Sequence, residues 1–79
     1  MKELFKSKIN IFPNPTNGII NIATTMNLNE YKIKSIYGNL LHVGVLASNQ
    51  INIETLAAGV YFIEFKVNDS WANFKIIKN

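Results

Sequence analysis

No cysteine and no arginine occur among the 79 residues. Without cysteine there is no disulfide to staple the chain and no thiolate to hold a metal or attack a substrate. A domain this small therefore depends on its apolar core alone, and a chain of this length buries only about 60% of its unfolded surface. Histidine and tryptophan occur once each. His42 has no second imidazole or paired carboxylate at ligand spacing, so the sequence offers no zinc site. No apolar run approaches the roughly 20 residues that span a bilayer as a helix, and no membrane insertion is expected. The start, Met1 to Lys6, carries positive charge but no apolar stretch behind it, so a signal peptide is not expected there.

The positive charge comes from lysine alone. Eight lysines against five acids give +3, and the lysines are spread along the chain rather than clustered with stacking aromatics. That distribution argues against a nucleic-acid reader and fits solvated faces and guarded sheet edges. Glu3, Glu30, Glu54, Glu64 and Asp69 are dispersed, so no acid/base pair is foreseen. Ser7, Ser35, Ser48 and Ser70 lack a nucleophile-elbow context, and no phosphate-cradling glycine loop is present. Asn68-Asp69-Ser70 reads as a hairpin turn without a metal. Neither catalysis nor a cofactor is expected.

What the chain does have is period-two alternation. After Gly59, Tyr61, Ile63, Phe65 and Val67 fall on one side, with Val60, Phe62, Glu64 and Lys66 on the other. This is the signature of a half-buried strand, here the central one. Shorter strands are expected over Lys8 to Phe12, Gly18 to Thr24, Tyr31 to Ile36, Leu40 to Leu46, Gln50 to Ile53 and Trp71 to Lys78. Pro13 and Pro15 fix φ and remove two donors, so the first strand must end before them, and Asn17-Gly18 supplies a tight turn. Glu54 to Ala58 fits a single helical or 3₁₀ turn. Seven short strands with a turn about every ten residues predict an all-β fold. The expected form is a small antiparallel β-sandwich, immunoglobulin-like or fibronectin-like, over residues 9–79, with 1–8 as a lead-in. Its expected core includes Ile20, Ile22, Ile33, Ile53, Tyr61, Ile63 and Phe65. Gly38 and Gly59 are expected where a side chain is poorly tolerated.

Three fragments stand in a particular order. They are Ile11-Phe12-Pro13-Asn14-Pro15-Thr16-Asn17-Gly18, then Ile33-Lys34-Ser35-Ile36-Tyr37-Gly38-Asn39-Leu40-Leu41, then Leu56-Ala57-Ala58-Gly59-Val60-Tyr61-Phe62-Ile63 with Phe74-Lys75-Ile76-Ile77-Lys78 behind it. Together they resemble the type A C-terminal sorting domain of the type IX (Por) secretion system of the Bacteroidota. Phe12 stands where that family often has tyrosine, and Ser35 near a frequent aspartate or asparagine, where a weaker turn hydrogen bond is expected. The resemblance implies a seven-stranded β-sandwich and a recognition function without catalysis. It implies partners in the secretion translocon and its shuttle proteins, a sortase-like peptidase acting afterwards, transit through the periplasm, and a secreted or cell-surface destination. As an isolated domain a monomer is expected.

Pro13, Asn14, Pro15, Gly18, Gly38, Gly59 and Tyr61 carry the family pattern. Lys75, Ile77, Lys78 and Asn79 are the expected contacts to the translocon, on a last strand whose open edge would accept a receptor strand. The alternative from another class is a carbohydrate-binding or adhesive sandwich, with Trp71, Tyr31 and Tyr37 as candidate platforms.

Overall fold

Side-chain alternation sorts the chain into two antiparallel sheets. The computed structural model describes residues 8–79. Its seven strands are β1 (Ile9–Phe12), β2 (Ile19–Thr24), β3 (Glu30–Ser35), β4 (Leu40–Val45), β5 (Gln50–Asn52), β6 (Gly59–Val67) and β7 (Ser70–Lys78), and no helix forms among the described residues. One sheet has the order β1-β2-β5 and the other β4-β3-β6-β7. The chain crosses between them after β2, β4 and β5. The all-β sandwich expected from the sequence is therefore the observed architecture. The lead-in expected over residues 1–8 lies, apart from Lys8, outside the described residues.

Isoleucine alternation supplies most of the core. Ile9, Ile20, Ile22, Ile51 and Ile53 come from the three-stranded side, and Ile33, Ile63, Phe65, Val67, Ala72 and Ile76 from the four-stranded side, all buried. Six of the seven expected core residues are in this cluster. Tyr61 is half-buried and packs against it because its hydroxyl stays outside to donate to Ala57 O at 2.6 Å. Phe65 is fully buried, with the Phe74 ring set edge-on at 5.8 Å between centroids.

Two local expectations change. Glu54 to Ala58 forms turns without a helix. Ile36, read as the end of the third strand, sits in the following turn and is 55% exposed, because Ser35 already closes that turn. The three-stranded sheet also leaves β4 uncovered. His42 pairs with the buried Ile33 and so lies on the inner face, yet it is exposed.

Glycine acts in three ways here. Gly38 (φ 88°) and Gly59 (φ 155°) have left-handed backbone but open space around them. Gly18 (φ 145°) adds a close approach, since a Cβ there would run into the Glu54 side chain and lie 3.2 Å from Glu54 Cα. Gly44 gives its space to the Tyr31 ring, whose hydroxyl would be 2.7 Å from an added Cβ. Gly59→Val is expected to destabilise by more than about 1 kcal/mol through backbone strain. A thermal melt is the check, and an unchanged melting temperature refutes it.

Candidate functional site

Two prolines leave the segment after β1 with few ways to pair. Pro13 and Pro15 have no N–H, and both follow cis peptide bonds. Several of the remaining polar groups turn to the end of β7. The Asn14 side-chain amide donates to Lys75 O at 3.0 Å and accepts from Ile77 N–H at 3.0 Å. A primary amide carries one acceptor and two donors, so it stands in for a stretch of strand backbone. Thr16 N–H donates to Ile77 O at 2.8 Å, and Asn79 N–H donates to Thr16 O at 2.9 Å. The result is a parallel bridge between Thr16 and Lys78. Asn79 Nδ2 donates to Asn17 Oδ1 at 3.1 Å. These five hydrogen bonds form a clasp that ties the first sheet's β1–β2 connection to the second sheet's edge strand.

The clasp is itself braced. Thr16 is 1% exposed, and its hydroxyl donates to Ile19 O at 2.7 Å and accepts from Gly18 N–H at 3.1 Å. Gly18 O accepts from Ile53 N–H at 2.7 Å, which docks the turn on the end of β5. Every polar group of the buried threonine is thereby satisfied, as burial demands.

The other two family fragments are joints as well. Ser35 Oγ accepts from Tyr37 N–H at 3.1 Å and Asn39 N–H at 3.2 Å, closing the β3–β4 turn that Gly38 allows. The serine thus makes the turn bonds that its departure from the family pattern was expected to weaken. Tyr61 closes the turn before Gly59 through Ala57, with Leu56 packed against the core. Pro13, Asn14, Pro15, Gly18, Gly38, Gly59 and Tyr61 therefore build geometry.

The C-terminal residues are placed differently from the expected open edge. The half of the β7 edge from Lys75 to Asn79 is already occupied by Asn14, Thr16 and Asn17. Lys75 and Ile77 keep exposed side chains on the outer face, Asn79 is exposed but held at main chain and side chain, and Lys78 is half-buried. Sequence reasoning missed the clasp. The only signal was a lone pair of asparagines among prolines, and their partners lie 61 to 63 residues away. Asn14→Ala is expected to cost about 1–2 kcal/mol for two solvent-accessible hydrogen bonds. Denaturant titration measures this, and hydrogen exchange should quicken first at the Ile77 amide. No change in either would remove the clasp's energetic role.

Among the described residues no group of three or more histidines and acids is placed to hold a metal. Asn68, with φ 56°, makes the hairpin turn with Asp69. Trp71, Tyr31 and Tyr37 do not converge. Lys32 Nζ covers the Trp71 ring at 4.2 Å, Tyr31 faces inward beside His42 at 5.7 Å, and Tyr37 projects from the β3–β4 turn. No flat aromatic platform for a sugar results.

No curated protein matches the chain. The family model of the secretion system C-terminal sorting domain matches residues 10–79, which takes in all three fragments and the clasp. That domain is a C-terminal signal for type IX secretion, and its cargo is exported to the medium or the cell surface. The chain belongs to the family of type IX secretion-system C-terminal sorting domains.

Proposed function

We propose that residues 9–79 are the sorting unit, preceded by the lead-in of residues 1–8, and that it is read as a folded surface at its clasped end, by recognition and without catalysis. The readers are the translocon and its shuttle proteins, met in the periplasm, with a sortase-like peptidase acting after export. Lys75, Ile77, Lys78 and Asn79 are the contacts. One observation supports this most. The Pro13–Gly18 segment and the last five residues form a single hydrogen-bonded corner, joined through Asn14, Thr16 and Asn17. A receptor thus meets a strand end whose backbone is already held, so less ordering entropy is lost on binding.

The test is a fluorescent reporter with a signal peptide, fused ahead of this chain and expressed in a type IX-competent host. Lys75→Glu with Lys78→Glu is expected to lower export while the domain stays folded, since Lys75 is exposed and Lys78 half-buried at the chain end. Each exposed ion pair contributes only about 0.2–1 kcal/mol, so the double change should exceed either single one. Full export of the folded double variant would overturn the assignment of these contacts.

A further inference from the structure

We infer that the outer face of the four-stranded sheet, at the clasped end, is a docking surface for a protein partner offering an apolar centre with a carboxylate at its flank. The inference rests on the sorting-signal reading and extends its site from β7 onto β6 and β3.

Strand register draws the surface. Lys34 pairs with Phe62, and Phe62 with Lys75, so the three side chains form one row across β3, β6 and β7. Val60 pairs with Ile77 in the row beside it. All five alternate with the buried Ile33, Ile63 and Ile76 and so face outward. The solvent side of an antiparallel sheet is ordinarily polar. Here Val60, Phe62 and Ile77 stand together on it, and Ile77 is 37% exposed.

Charge selects the partner. The nearest acid is Glu64, in the next row, with its side chain 14% exposed. Lys34 Nζ lies 3.4 Å from Glu64 Oε2, and Asn73 Nδ2 donates to the same oxygen at 3.1 Å. That acid and Lys34 are thus paired within the sheet, which leaves Lys75 as the cation of the row that a partner can use. Lys75 has no ion pair among the described residues. Lys34 and Lys75 are two strand spacings apart, about 10 Å, on either side of the phenylalanine. A buried aromatic anchor with a charged rim is the pattern of an interface hot spot. A second copy fits poorly, because a chain of net charge +3 would set lysines against lysines.

Phe62→Ser and Ile77→Asp in the reporter fusion test this, with Val45→Ser, 72% exposed at the far edge of the same sheet, as the control. Phe62→Ser is expected to cut the exported fraction about tenfold or more, as loss of an anchor does, with export of Val45→Ser unchanged. Thermal melts of each purified variant separate docking from folding, and Ile77→Asp keeps the question answerable if Phe62→Ser unfolds. Normal export of the folded variants, with export still lost on reversing Lys75 and Lys78, would overturn this surface and remove Ile77 from the sorting contacts, while the two lysines of the sorting corner would stand. Normal export of every variant would overturn both. Equal loss for a folded Val45→Ser would show that the clasped end is not singled out and would reject the proposal. Self-association in sedimentation that Phe62→Ser abolishes would assign the face to a second copy and reject the proposal.

Discussion

Removing Lys75 to Asn79 is expected to unfold the domain, not merely to hide a signal. The deletion takes away Ile76, which is fully buried, and burial of such a side chain contributes about 2–5 kcal/mol. It removes every β7 partner of the clasp, which leaves Asn14 and the buried Thr16 without their cross-sheet hydrogen bonds. It also strips Gly59, Val60, Tyr61 and Phe62 of β6 of their β7 partners. A core of this size rarely supplies more than about 3–5 kcal/mol, so the sum exceeds what the fold can lose. Circular dichroism and a thermal melt of the truncated chain are the measurements. A cooperative melt near that of the full chain would refute the expectation. Export assays of C-terminal truncations therefore report folding and recognition together, and surface substitutions are needed to separate them.

Phe65→Ala is the second large effect, expected at about 3–5 kcal/mol. The ring is fully buried on β6, between Tyr31 on β3 and Ala72 on β7, with Phe74 against it edge-on. Strands on both sides hold its neighbours in register, so the site has little freedom to collapse into the cavity. Phe74→Ala, at a half-buried position, should cost less. Urea midpoints of the two variants check the order, and equal midpoints would mean that the interior repacks around position 65.

The candidate site was legible in part. Lys75 and Ile77 face outward and Ile76 inward, a pattern that can be read from the sequence because alternation along β7 is a local rule. The open edge was misjudged. Whether a strand edge is free depends on what else reaches it, and Asn14 comes from the opposite end of the chain. Gly38 and Gly59 were noticed for their turns. Gly18 is the more tightly constrained glycine, because Glu54 packs against it, and Gly44 passed unnoticed inside an apparently ordinary strand. Its partner is the Tyr31 ring on the neighbouring strand.

What the sequence alone determined is everything that repeats at short range. Period-two alternation set which side chains of β2, β3, β6 and β7 face the core. Prolines and glycines set where strands stop, since they restrict the backbone at their own positions. The ordered fragments pointed to the family that the match over residues 10–79 bears out. Only the tertiary structure decided that Asn14 and Thr16 close the β7 edge, that Lys34, Phe62 and Lys75 share a row, and that β4 is left uncovered. These depend on sheet order and register, which are set by summed packing between distant strands. No local pattern encodes a hydrogen bond between residues 14 and 77, because the chain comes back to that corner only once both sheets have paired.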